Sequence, residues 1–160
     1  MTKTLTINGI TYYTYANLDD ANVYNNAIVG SSWSTLDEIT QSQYLIMATR
    51  KIDSYNYTGS KVSENQELKF PRIMASGKVS DDEVLTNLCC QIATYYYTNG
   101  GSSSGGGDSS NLLSQIDNYQ IGDLKIGFKS DAQIDLSGID DFIEQALKEW
   151  LMSQSMEIWL

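Results

Sequence analysis

The chain has no histidine, one proline and two cysteines among its 160 residues. Without histidine it cannot form the Ser-His or Cys-His pairs of nucleophilic enzymes, or the imidazole ligands of a typical zinc site. Cys89 and Cys90 are adjacent, so they cannot join distant segments in a disulfide. We expect Cys89 to be buried in a helix and Cys90 to be its partly exposed neighbour. The sequence therefore predicts no enzyme, no metal and no cofactor.

Positive charge is also scarce. Ten Lys and Arg residues stand against 20 Asp and Glu residues, which gives a net charge of -10. Such a protein is repelled by polyanions unless its cations gather on one surface, and its lysines are dispersed along the sequence. This composition disfavours direct, tight binding of nucleic acid.

Long apolar runs are missing as well. No stretch is long enough to span a bilayer, and the segment Met1-Thr2-Lys3-Thr4 lacks the apolar region of a signal peptide. We therefore expect no membrane partner and synthesis in the cytoplasm. The length is typical of one domain, so residues 1–160 are predicted to form a single domain.

The first segment predicts a β-hairpin over residues 1–15. Asn8-Gly9 is a favoured two-residue turn, and pairing across it sets Ile7 against Ile10 and Leu5 against Tyr12. Four apolar side chains then share one face. An isolated hairpin is marginal in water, so this face is expected to pack on helices or on a neighbouring subunit.

Four helices are predicted from capping residues followed by apolar residues at helical spacing. The expected caps are Asn17, either Ser34 or Thr35, Ser80 and Ser137. The apolar stripes of the last three helices contain Leu45, Ala48, Thr49, Ile52 and Tyr55; Leu85, Leu88, Cys89, Ile92, Ala93 and Tyr96; and Ile139, Phe142, Ile143, Ala146, Leu147, Trp150 and Leu151. The fold class is therefore mainly α, a small helical bundle with β-hairpin arms.

Three further segments stand out after the third helix. Residues 98–111 are rich in Gly and Ser, whose side chains cannot compensate for ordering, so they predict a long flexible Gly/Ser loop. Alternating apolar residues over 124–128, with 119–121 as a second arm, predict another hairpin. The tail 153–160 is predicted to dock on its own domain or on a partner. Its apolar residues are Met156, Ile158, Trp159 and Leu160.

Several short motifs occur in a characteristic order. They comprise a Tyr-rich helix at 15–24, Trp33, the helix at 44–53, the Tyr-Thr-Gly at 57–59 and the Leu-Lys-Phe-Pro-Arg at 68–72. Their order and spacing resemble the amino-terminal half of tailed-bacteriophage head-tail connector proteins, also called adaptor or head-completion proteins. The resemblance covers roughly residues 12–97 and, more loosely, the rest.

The resemblance implies a structural virion protein in the neck between capsid and tail. Such proteins form a homo-oligomeric, usually dodecameric, ring below the portal protein, extend the DNA channel and dock stopper or tail proteins. DNA would pass through this channel without tight binding. The apolar tail, with Met156, Ile158, Trp159 and Leu160, would be the portal interface.

The two arginines both fall within these motifs. A planar, bidentate donor suits Arg50 and Arg72 to a specific partner. One hypothesis is an internal pair with a carboxylate such as Asp53 or Asp20, which would fix the loop that holds Phe70 and Pro71. The other is a contact between subunits or with the portal.

Two further functions stay open. A single-stranded-DNA-binding replication accessory protein would need a cationic groove and a salt-sensitive affinity. The tyrosines at 12, 13 and 15 and at 95–97 could stack on bases, although without interleaved cations they favour core or interface roles. A stopper or tail-completion protein is the other alternative.

Overall fold

The computed structural model describes residues 2–99, 116–121, 124–128 and 137–152. In these residues the chain forms four α-helices, a 3₁₀ turn and three antiparallel strand pairs. The helices are α1 (Leu18–Asn26), α2 (Glu38–Asp53), α3 (Asp82–Asn99) and α4 (Ser137–Leu147). The pairs are β1 (Lys3–Ile7) with β2 (Ile10–Thr14), β3 (Ser60–Lys61) with β4 (Arg72–Ile73), and β5 (Ile116–Ile121) with β6 (Leu124–Phe128). The predicted mainly-α class with β-hairpin arms is confirmed.

The first hairpin has the predicted register. Leu5 faces Tyr12 and Ile7 faces Ile10, and both turn residues, Asn8 and Gly9, have positive φ, as the Asn-Gly turn requires. The base of this ribbon packs on α2, where Leu5 is buried. Ile10, nearer the tip, is 56% exposed, so only part of the predicted apolar face is covered.

The helix starts follow from local hydrogen bonds. Asn17 and Asp20 form a reciprocal capping box at the start of α1, as the sequence predicts for Asn17. The start of α2 differs from the prediction, because Asp37 is its N-cap and accepts from the Thr40 N–H at 2.9 Å. Ser34 lies instead in the 3₁₀ turn Trp33–Thr35, which places the Trp33 ring in the core.

The core lies between α2, α3 and α4, with α1 and the first hairpin packed against them. All six residues predicted for the stripe of α3 are buried, as are Ile139, Ile143, Leu147 and Trp150 from the stripe of the last helix. Cys90, predicted to be partly exposed, is buried as well. The prediction failed there because α3 packs on both α1 and α2, so a wider sector of its surface is covered.

Phe70 anchors the segment between β3 and β4. Its side chain is fully buried and packs edge-on against Tyr15, Tyr57 and Trp150, with ring centroids 6.2, 4.6 and 6.1 Å away. The peptide bond to Pro71 is cis. Since the three partner rings come from three separate segments, Phe70 joins parts of the core that are distant in sequence.

The end of the described chain is tied back to the end of α2. Tyr57 and Leu151 form an antiparallel bridge, and the Thr58 N–H donates to the Trp150 carbonyl at 2.7 Å. Residues 100–111 of the predicted flexible loop and the predicted tail 153–160 lie outside the described residues. None of the helices in the described parts of the chain has both the length and the apolar character needed to cross a membrane.

Candidate nucleic-acid interface

An open groove of about 450 Å³ lies between β2, α2 and the loop before Phe70, and we call it the α2 groove. Its volume is within the range of small-ligand sites, about 300–1,000 Å³. Aromatic, cationic, acidic and hydroxyl groups all contribute to its walls. The lining residues are Thr11, Tyr12, Tyr13, Ile46, Thr49, Arg50, Asp53, Ser54, Glu67 and Leu68.

The spacing on α2 explains which side chains of this helix reach the groove. Arg50, Asp53 and Ser54 stand at i, i+3 and i+4, and therefore share one face of the helix. Thr49 is buried, and its hydroxyl accepts from the Tyr15 N–H at 3.3 Å, which ties α2 to the segment that follows β2. The face of α2 that lines the groove is therefore polar, and it lies next to the buried contact between Thr49 and Tyr15.

Strand alternation places two different tyrosines at the other wall. Tyr12 lies opposite Leu5 and is half-buried, whereas Tyr13 lies opposite Thr4 on the outer face of the ribbon. The Tyr13 side chain is 48% exposed. Its ring is therefore available to a flat ligand such as a nucleobase.

The other tyrosines considered from the sequence have structural roles. Tyr15 and Tyr96 are buried. Tyr97 packs edge-on against Trp33 and Tyr44, and Tyr95 packs against Phe142. The core interpretation of these aromatic groups is correct for these four residues, but it does not describe Tyr13.

Asp53, which lines the groove, is held in place by hydrogen bonds. Its carboxylate accepts from the Tyr15 hydroxyl and, at 3.2 and 3.4 Å, from the Lys69 N–H. Burial raises the pKa of Asp53 above its ordinary value, partly opposed by the hydrogen bond from Tyr15. Burial and the neighbouring Asp53 together raise the pKa of Tyr15, so its hydroxyl stays protonated and donates.

The described cations lie in different surroundings. Lys3, Lys51 and Lys78 form ion pairs with Asp20, Asp140 and Glu149. Arg50 is exposed on the groove wall, and Lys61 is close enough to Asp53 to lower the pKa of that carboxyl. Arg50 is thus the cation that lines the α2 groove, beside two carboxylates, Asp53 and Glu67.

Arg72 has a different environment from Arg50. Its guanidinium donates to the carbonyls of Thr58, Lys69, Tyr57 and Gly59, at 2.7, 3.3, 3.2 and 2.6 Å. The carboxylates considered as its partners are engaged elsewhere, Asp53 by Tyr15 and Asp20 by Lys3. The described hydrogen bonds of Arg72 thus hold the loop around Phe70 through backbone carbonyls and not through Asp53 or Asp20.

A second open groove, of about 440 Å³, lies between α1 and the start of α3. Four carboxylates line it, from Asp19, Asp20, Asp82 and Glu83, with Lys3 as the cation. This excess of negative charge repels phosphates. Of these two grooves, the α2 groove is the better suited to a nucleic acid.

Both cysteine thiols are buried. Burial raises the pKa of Cys89 to about 12 and also raises that of Cys90. Among the described residues, Cys, Asp and Glu side chains do not gather in groups of three or more that could hold a metal ion. The predicted partner residues Met156, Ile158, Trp159 and Leu160 lie outside the described residues.

Comparison with known proteins corrects the functional interpretation. No curated protein and no solved structure matches the chain. The family model described as "Putative DnaT-like ssDNA binding protein" matches residues 9–159. The head-tail connector interpretation, with its ring, its portal and tail partners and its loosely passing DNA, is therefore wrong.

The structure shows why the short motifs were misleading. Ala21, Trp33, Ala48, Ile52 and Phe70, which belong to those motifs, are all buried. Buried positions of this kind reflect how the helices pack, and proteins with the same packing can have unrelated functions. The family match covers nearly the whole sequence, and the chain belongs to this DnaT-like family.

Proposed function

We propose that the protein binds single-stranded DNA in the α2 groove, as an accessory to DNA replication. The observation that carries the proposal is the groove itself, whose lining includes an exposed tyrosine on β2 and an exposed arginine on α2. The description of the family supports the same ligand. Bases stacked on aromatic rings and phosphates paired with cations are the usual basis of binding to single strands.

Each side chain has a distinct role in this proposal. Tyr13 provides a stacking surface, which is typically worth about 1–3 kcal/mol per base. Arg50 pairs with the phosphate next to the stacked base, because a guanidinium matches two phosphate oxygens. The hydroxyl groups of Thr11 and Ser54, which also line the groove, supply further hydrogen bonds.

The net charge of -10 shapes this binding without excluding it. Carboxylates elsewhere on the surface repel the strand, so contact is confined to the side that carries Arg50 and Lys61. With one or two phosphates neutralised, log Kobs should fall with log salt at a slope of about -0.7 to -1.4. The net charge of the sequence predicted weak binding because it does not show how charges are distributed over the folded surface.

The proposal involves no catalytic step. The Cys89 thiol, whose pKa is raised to about 12, holds its proton at neutral pH and is a poor nucleophile. Asp20 belongs to the capping box of α1, and Asp140 is held by Lys51 and Tyr55. We place the protein in the cytoplasm, where replication exposes single strands.

Fluorescence anisotropy with a labelled, mixed-sequence strand of about 12 nucleotides tests the proposal at low salt. We expect Tyr13→Ala to weaken binding about 5-fold to 100-fold, since the stacking surface is lost, and Tyr13→Phe to bind like the wild type. Arg50→Gln should weaken binding and reduce the salt slope by about 0.7.

Lys148→Gln is the matched control for Arg50. It changes the net charge by the same amount at an exposed residue outside the groove, so it should leave both affinity and slope unchanged. Equal losses in Arg50→Gln and Lys148→Gln would show that binding follows overall charge and not the groove. Absence of binding by the wild type at low salt would overturn the proposed function.

A further inference from the structure

Two carboxylates line the α2 groove beside its arginine. Asp53 comes from α2 and Glu67 from the loop before Phe70, while Arg50 is the cation of the groove wall. A carboxylate repels phosphates and can only accept hydrogen bonds when ionised. A run of phosphates is therefore disfavoured along the groove, whereas a base edge that carries N–H donors is favoured.

The two carboxylates differ in what they can still bind. Asp53 already accepts from the Tyr15 hydroxyl and the Lys69 N–H, so its orientation is fixed by the fold. Glu67 is exposed and lines the groove from the loop before Phe70. Glu67 is thus the carboxylate of the groove that is more accessible to a base.

Building on the proposed binding of single-stranded DNA, we propose that Glu67 makes the α2 groove selective for guanine. Guanine presents its N1–H and N2–H₂ groups side by side, which matches the two oxygens of one carboxylate. Cytosine and adenine offer one amino group beside a ring nitrogen acceptor, and carboxylates accept well from such amino groups. Thymine offers one N–H flanked by two carbonyl oxygens, and a carboxylate repels those oxygens.

The stacked base and its phosphate then use different sides of the site. The ring stacks on Tyr13, its hydrogen-bonding edge faces Glu67, and its phosphate lies outside at Arg50. Single-stranded bases are commonly recognised in this way, by stacking together with hydrogen bonds to the exposed edge. The order of preference is guanine, then cytosine and adenine, then thymine.

Competition anisotropy with thymidine strands of about 12 nucleotides tests this order. One strand contains only thymine, and the others carry a single central guanine, cytosine or adenine. We expect the guanine strand to bind about fivefold or more tightly than the all-thymine strand. Glu67→Gln should remove this difference, because an amide offers one acceptor and introduces donors.

Glu64→Gln is the matched control, since Glu64 is exposed in the same loop and outside the groove. It should keep the guanine preference of the wild type. If the wild type binds all strands equally, the inference about Glu67 fails while the proposed function stands. If the preference persists in Glu67→Gln, another group selects the base, and if no strand binds, both proposals fail.

Discussion

Replacing Phe70 by alanine should be among the most damaging single changes in this protein. The side chain is fully buried and packs edge-on against Tyr15, Tyr57 and Trp150. Truncating a buried Phe typically costs about 3–5 kcal/mol of unfolding free energy, through lost burial and the cavity that remains. In a chain of this size that corresponds to a fall in Tm of about 6–20 °C.

Urea denaturation followed by far-ultraviolet circular dichroism measures this cost. Phe70→Ala should lower the midpoint, and Phe70→Leu, which keeps most of the volume, should lower it by a smaller amount. Val29→Ala is the control, because Val29 is fully exposed and its truncation should change stability by no more than about 0.5 kcal/mol. A loss below about 1 kcal/mol in Phe70→Ala would refute the role of Phe70 as the residue that joins the core.

The remaining predictions concern three other contacts. In urea denaturation, Gly59→Ala should destabilise the fold more than Gly77→Ala, although both residues have positive φ. A Cβ at Gly59 would lie 2.5 Å from the Ile73 carbonyl oxygen, whereas a Cβ at Gly77 would meet open space. Arg72→Gln should cost about 2 kcal/mol or more, since carbonyls lose a charged donor, and a cost near zero would contradict this. Hydrogen bonds from Lys51 and Tyr55 lower the pKa of Asp140, so its stabilisation is present above pH 3.8 and lost as pH falls through the lowered pKa. Asp140→Asn should therefore cost at most about 1 kcal/mol at neutral pH and nothing at low pH, as thermal melts across pH would reveal.

Local chemistry explains the parts of the fold that the sequence predicts. The Asn8-Gly9 turn sets the register of the first hairpin, because few other dipeptides adopt two positive φ angles so readily. The buried stripe of α3 follows from its helical spacing in the same way. These features depend on residues that are close in sequence.

The start of α2 could not be chosen from the sequence alone. Ser34, Thr35 and Asp37 are all acceptable N-caps. In the structure Ser34 and Thr35 belong to the 3₁₀ turn that begins at the buried Trp33, which leaves Asp37 as the N-cap. Tertiary packing, which the local pattern does not contain, therefore moves the helix start to Glu38.

The candidate site was hidden from the sequence for a related reason. Tyr13, Arg50 and Glu67 come from three segments and line one groove only because the hairpin and the Phe70 loop both lie beside α2. The partners of Arg72 are backbone carbonyls, which leave no trace in the residue types. The sequence could thus identify both arginines as specific donors. It could not show that Arg50 lines the groove while Arg72 holds the loop.

Photocrosslinking tests the central claim most directly. A single-stranded DNA carrying the photoreactive base 8-azidodeoxyguanosine would be irradiated with the wild-type protein, and the attached residue would be located by mass spectrometry. The account predicts crosslinks at Tyr12 or Tyr13 that an unlabelled strand competes away. In Tyr13→Ala the crosslink at residue 13 should be lost. Crosslinks confined to residues outside the α2 groove, or none that the unlabelled strand competes, would contradict it.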